Sequence, residues 1–331
     1  MSKQHRQLKR IPRGFTLVEL VMVLIILAIL ATAALNMVEV EVDQTRFEST
    51  QNTLSNIQSA VMGPVDARAS DGSRIVSGFV ADVGRPIRSL EELYLAPNVL
   101  IVPGYTTTSP AGDPDLVVHG GWNGPYLTLP VGAAEPVDGW GNAFEQFSKN
   151  AVSPPGAEVM AEDRTVSILR SNGRDAAADM ADTGYDRDQL MIFEATANAA
   201  TAGVVTTQQI QHRWQKDVTV RVYHTNVHTD PDSANGTHIV IRVYGPHETD
   251  PTTGQIEIGT VAEMTVDLNS DPPPVAVTFT DLIVGPRVIR AYQRESAPAT
   301  SEEDLSLSTL RSTARSVNIS PETQSLNLIL K

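Results

Sequence analysis

Two sets of carboxylates in this chain of 331 residues sit where a partner other than water comes into question. One is a lone acid, Glu19, inside an apolar run from Phe15 to Leu35 whose other polar residues are Thr16 and Thr32. A carboxylate in hydrocarbon is costly unless a cation or hydrogen-bond donor meets it, so Glu19 either snorkels to the headgroups or has a partner. The other set is Asp175, Asp179, Asp182, Asp186 and Asp188, five carboxylates within 14 residues. Such a cluster needs water to screen it or a cation to share. Ca2+ suits it, taking about six to eight oxygens from carboxylates and carbonyls of flexible loops. On these residues alone, a solvated acidic loop and a calcium site both remain open. The spacing is not that of an EF-hand, which needs D-x-D-x-D-G and a distant Glu.

No catalytic constellation accompanies them. The seven histidines are His5, His119, His212, His224, His228, His238 and His247. No H-E-x-x-H, G-x-S-x-G or phosphate-cradling glycine loop occurs in the sequence. His224 and His228 are four apart in a strand-and-turn region, where that spacing does not set them side by side as it would on a helix. A zinc site from these two with Asp230 is the remote metal alternative, and the chain is read as non-enzymatic.

The elements that must position the carboxylates follow from hydropathy and charge. Phe15 to Leu35 is 21 residues, about 31 Å as a helix, which matches a bilayer core of about 30 Å. Lys3, Arg6, Lys9, Arg10 and Arg13 precede it without an acid, so residues 1–14 stay cytoplasmic and the C-terminal bulk crosses the membrane. Beyond it, Phe47, Leu54, Ile57 and Val61 form an amphipathic stripe, ended by Gly63 and Pro64. Val38, Val40 and Val42 alternate like a strand, but between two helical segments they are read as helix. Residues 15–62 thus make one helix, its first half in lipid and its second half on a head. In the Gly- and Pro-rich stretch that follows, Ser89 and Glu92 form a capping box for a short helix at Ser89 to Leu95, inside a structural connector. The net charge of −14 excludes nucleic acid as a partner. The absence of cysteine means that an exported domain is held without disulfides.

The order basic leader, Gly14, Phe15, Glu19 and a long apolar run, G-F-T-L-V-E at its core, resembles the class III leader of type IV pilins and type II secretion pseudopilins. The resemblance implies cleavage between Gly14 and Phe15 by a prepilin peptidase, methylation of the Phe15 amine, and neutralisation of a neighbour's Phe15 amine by Glu19 in a helical filament. Loss of five leader cations would take the net charge from −14 to −19. The blocks G-P-Y-L at Gly124 to Leu127, D-G-W-G-N at Asp138 to Asn142 and S-N-G-R-D at Ser171 to Asp175 resemble, in that order, the head of the major pseudopilin. Gly139 replaces the usual Pro. On this resemblance Trp122, Tyr126 and Trp140 are structural aromatics. A structural Ca2+ is implied at Asp175, Asp186 and Asp188, with carbonyls near Leu169 and Asn172. Here too the chain departs from the pattern: Ala176 replaces a Gly, the later acids are D-x-D, and the longer loop offers Asp179 and Asp182 as rivals.

Past about Ala195 the resemblance ends. Residues 195–207 read as a small-residue linker, and 208–295 hold segments of period two, DVTVRVYHT, HIVIRVYG, QIEIGTV, AEMTVDL, AVTFTDL and PRVIRAYQ, separated by turns. That pattern predicts an antiparallel β-sandwich of immunoglobulin-like type. The echo of VTVRVY in IVIRVY reads as a hairpin, and 296–331 as a polar tail in which Leu326 to Leu330 could add a strand. The expected fold is α+β: a long transmembrane helix on a small antiparallel head (63–194), then the sandwich. The implied setting is the bacterial inner membrane, single pass, with periplasmic C-terminal domains. The implied partners are copies of itself, other pseudopilins, an assembly ATPase, an inner-membrane platform and, indirectly, an outer-membrane secretin. The alternatives are a type IV or minor tip pilin with an adhesive sandwich, and a single-span protein that never polymerises.

Overall fold

The computed structural model describes residues 16–64, 66–70, 72, 74–96, 105–110, 113, 115–148, 166–177, 184–193, 215–224, 238–250, 255–267, 274–294, 310–320 and 325–330. The leader with Gly14 and Phe15, the linker 195–207, and Asp179, Asp182, His228 and Asp230 lie outside them.

Helix α1 runs unbroken from Leu17 to Met62, 46 residues, roughly 69 Å. Thr16 starts it and Gly63 ends it, and the alternating valines are helical, as read. From Leu17 to Val42 every described side chain is exposed. From Asp43 onward one stripe turns inward, with Asp43, Thr50, Leu54, Ile57 and Val61 buried and Phe47 half-buried. Burial of each aliphatic member of that stripe contributes about 1.5–3 kcal/mol.

A short helix α2, Phe79–Val83, packs on the end of α1. It is followed by a 3-10 turn at Leu90–Leu93. The capping box expected at Ser89 does not form: its side chain makes no cap hydrogen bond. Glu92 instead turns inward and receives Arg85 through two nitrogens, at 2.9 and 2.7 Å. A bidentate guanidinium pair out of water outcompetes a single neutral cap.

Strands β1 (Thr106–Thr108) and β2 (Val118–Gly120) form a hairpin. Strands β3 (Glu145–Ser148), β4 (Val166–Ser171) and β5 (Gln189–Ile192) form an antiparallel sheet with β4 central. The β-rich remainder has two sheets. One joins β7 (His238–Asp250), β8 (Gln255–Asp267), β10 (Gly285–Arg294), β11 (Leu310–Arg311) and β12 (Arg315–Ile319). The other has the order β13 (Ser325–Leu330), β6 (Gln215–His224), β9 (Val275–Ile283). Their apolar faces meet in one core, with Val218, Val220, Val277 and Phe279 from one sheet and Ile239, Ile241, Val243 and Ile289 from the other.

Several details differ from the sequence reading. The segments QIEIGTV and AEMTVDL are one 13-residue strand, β8. The echoing strands β6 and β7 lie in different sheets and are no hairpin; they echo because each turns alternate apolar residues into the same core. The strand expected at Leu326 to Leu330 does form, as β13, which buries Leu328 and Leu330; the difference is that it pairs parallel to β6, so the sandwich is not wholly antiparallel.

The sandwich is not a bead beyond a head either, because the core cluster is continuous from Leu54 on α1 to Leu330 on β13. Gly84, in the left-handed conformation at φ 77°, closes α2 so tightly against β7 that a Cβ there would fall 1.9 Å from the Pro246 carbonyl. The Asn318 side chain bonds the backbone N–H and carbonyl of Val76 at 3.4 and 3.3 Å. Fully buried Asp113, between β1 and β2, receives Arg290 at 2.8 Å and the Tyr292 hydroxyl, both on β10.

Candidate functional site

The site begins where α1 begins. Thr16 and Glu19 form a reciprocal capping box: the Glu19 amide donates to Thr16 Oγ1 at 3.2 Å, and the Thr16 amide and hydroxyl both donate to Glu19 Oε2 at 3.1 Å. The carboxylate thus sits at the positive end of the helix, satisfying a donor that no helical carbonyl reaches. The motif T-x-x-E before an apolar run was legible, and the sequence reading passed over it. Beyond Glu19, the described side chains of α1 are exposed as far as Val42.

The docked half of α1 contributes two polar residues that the stripe of Phe47, Leu54, Ile57 and Val61 did not name. Thr50 Oγ1 accepts the Gly139 amide at 2.9 Å, and Asp43 Oδ2 receives Arg174 at 2.8 Å. Both lie on the same helical spacing as the apolar members, which is the signal that could have found them.

The D-G-W-G-N block is organised by Asp138 rather than by Trp140. Buried Asp138 accepts the amides of Trp140 and Asn142 at 2.9 and 2.8 Å and the Ser171 hydroxyl at 2.8 Å, tying this turn to β4. Trp140 is half-buried outside the core cluster. Trp122 and Tyr126 do pack on that core, edge to face at 5.9 Å. Trp122 donates to the Glu92 carbonyl at 2.9 Å and Tyr126 to Asp82 at 3.0 Å. Burial raises the Asp82 carboxyl above its ordinary range, against the lowering effect of the Tyr126 bond.

The acidic loop is held by arginines. Arg174 grips Asp186 through two nitrogens, at 2.8 and 3.1 Å. Asp188 is buried with its carboxylate 3.8 Å from Arg170, and Asp175 caps its own turn through the Ala177 amide at 3.0 Å. Leu169 lies inside β4, paired on both sides, and the Asn172 side chain donates to Glu145 at 2.9 Å. Among the described residues no three His, Cys, Asp or Glu side chains converge to hold a metal. The donor set Asp175, Asp186 and Asp188, as placed, does not fit a calcium ion.

Residues 9–35 match the family described as the prokaryotic N-terminal methylation motif. This gives the chain a type IV pilin-like N-terminus of the kind a prepilin peptidase processes, and with an apolar helix long enough to cross a membrane it points to a membrane-anchored protein. No curated protein matches the chain. Among solved structures it is similar to a pilus-presented adhesin, Cpa, at 13% identity over 35% of this chain, with a TM-score of 0.18. A cysteine-to-alanine mutant of that adhesin matches at 12% identity over 37% of this chain, with a TM-score of 0.19. The chain spans 26% and 28% of the length of those two structures. Likeness at these scores carries no argument about fold or function.

Proposed function

We propose that this chain is a structural subunit of an inner-membrane-anchored periplasmic filament, a pseudopilin of a type II secretion system. A prepilin peptidase would cut between Gly14 and Phe15 and methylate the new amine. The observation that carries this reading is the division of α1: its described side chains are exposed from Leu17 to Val42, apolar as far as Leu35 but for Glu19 and Thr32, and it is docked from Asp43 onward. A bare apolar helix is accommodated by lipid or by close packing on helices like itself. The basic residues 1–14 keep the N-terminus cytoplasmic. In the filament the apolar helices pack together, Glu19 meets the Phe15 amine of a neighbouring copy, and the heads coat the outside. Other pseudopilins, an assembly ATPase and an inner-membrane platform are the partners this role requires, with an outer-membrane secretin downstream. The role is mechanical rather than catalytic.

Mass spectrometry of the N-terminus of protein purified from membranes tests the first step, with N-methylated Phe15 the expected end group. Cysteine cross-linking between copies along residues 17–42 tests the second. An intact Met1, or copies that never cross-link, overturns the proposal.

A specific observation favours a second placement of the same subunit. The sandwich shares the head's core, so its bulk is fixed to every copy rather than swinging on a tether. Such a head suits a minor subunit at a filament tip, or a pilin that presents the sandwich for adhesion. Immunogold labelling that decorates filament ends alone would select the tip.

A further inference from the structure

Among the described side chains Asp43 is the most N-terminal buried one of α1, so it marks the point at which the head takes hold of the helix. What it meets there is a cation of its own chain. Arg174 spends Nη1 on Asp43 Oδ2 at 2.8 Å and the fork of Nε and Nη2 on the two oxygens of Asp186 at 2.8 and 3.1 Å. One guanidinium thus joins residues 131 positions apart on one side and 12 on the other. The loop is shaped for the contact. Its backbone closes through the Arg174 amide on the Tyr185 carbonyl at 3.0 Å. Gly173, at φ +68°, passes so near Asp186 that a Cβ would fall 2.6 Å from the Asp186 carbonyl. Next to the ion pair, Phe47 of α1 meets Tyr185 edge to face at 6.0 Å.

We propose that Arg174 is a built-in cation that fastens the stalk helix to the acidic loop, so that this junction forms without a divalent metal. A calcium ion on Asp186 would have to displace a planar fork whose geometry matches a carboxylate bidentately. Arg170, buried and bonded to Glu145, places a second cation 3.8 Å from the Asp188 carboxylate. The arginines stand where the resemblance implied a metal. The consequence is mechanical: the helix is gripped from Asp43 onward and free before it, and Arg174 sets that boundary. This inference does not rest on the filament reading.

The test uses the full chain in detergent. Thermal midpoints of the parent, Arg174→Gln, Asp43→Asn and the double variant are measured in EDTA and in millimolar CaCl2, with hydrogen exchange followed along α1. The expected result is a parent midpoint that is the same in both buffers and a drop for each single variant. The double variant should fall by less than the sum, because the two groups share one contact. Amides around residues 40–50 should exchange faster in Arg174→Gln while strands β6 to β10 are unchanged. Arg174→Lys, which keeps the charge and loses the fork, should fall between parent and Gln. If Arg174→Gln does not accumulate, Asp43→Asn with local exchange reads the same arm from the helix side. A parent midpoint that rises with calcium, or singles that add without coupling, overturns the proposal.

Discussion

Replacing Asp113 with Asn should loosen the sandwich from the head, and the structure sets the size of the effect. Asp113 is fully buried, receives Arg290 Nη1 at 2.8 Å and the Tyr292 hydroxyl, and also accepts the Asp115 amide at 3.2 Å. Asn keeps the shape and removes the charge. Tyr292 would retain the Tyr244 hydroxyl at 2.8 Å, but Arg290 would keep only the Ser312 carbonyl at 2.9 Å. Breaking a buried pair from one side costs about 3–5 kcal/mol. Because the Arg290 side chain retains 11% exposure, the lower end applies. At about 2–4 °C per kcal/mol for a body of this size, a loss of about 3 kcal/mol lowers the midpoint by roughly 6–12 °C. Near- and far-ultraviolet circular dichroism of the detergent-solubilised chain should show one transition in the parent. In the variant that transition should be lower and broader, because the two halves no longer unfold together. Asp115→Asn is the control: its partner is Arg311 at 2.7 Å, but both side chains are exposed, so the cost should stay below about 1 kcal/mol. Equal melting of the parent and Asp113→Asn would refute the claim that this network joins head and sandwich.

Three further outcomes follow from single residues. Gly84→Ala forces a Cβ into the Pro246 carbonyl and a non-glycine residue to positive φ; the backbone alone costs about 1–2 kcal/mol, and limited proteolysis should reveal separation of the seam. Burial holds the His247 imidazole below its ordinary value, against the raising effects of the Gly245 carbonyl and Glu257, and Arg287 lowers it further. The unfolded chain therefore takes up the proton first, so stability present above about pH 6.5 is lost as pH falls below it. A His247→Gln variant should flatten that part of a stability-versus-pH curve. Glu19→Gln should leave the leader processed, by mass spectrometry, while reducing cross-linked copies along residues 17–42.

The parts of this fold that were legible are those whose signal is local. The apolar run and the spacing of Phe47, Leu54, Ile57 and Val61 specify α1 because every contact they report is with the helix's own face. The alternation in β6, β7, β9 and β10 specifies strands for the same reason. What stayed hidden depends on distant partners. Glu92 is a good local cap, yet Arg85 claims it in a buried ion pair. The stripe spacing places Asp43 and Thr50 on the docked face, but their partners, Arg174 and Gly139, come from far along the chain. The tail strands β11 and β12 carry weak local signals, and the edge offered by β10 makes them strands. The acidic loop shows the limit most clearly, because a count of carboxylates does not say which arginine neutralises each one.

The helix start ties these observations to assembly. In the single chain Glu19 is already satisfied, by the amide and hydroxyl of Thr16. In the proposed filament the neighbour's amine would neutralise a charge that these neutral donors leave in place. A hydrogen bond to a charged group nets about 1.5–3 kcal/mol. The large term in helix association is then the packing of the bare surface from Leu17 to Val42, and Glu19 contributes mainly by penalising every register that leaves it opposite no cation. In the proposed filament the labour on α1 would therefore divide in three parts: a start that selects register, a middle that supplies attraction, and a docked end from Asp43 that transmits the position of the helix to the head.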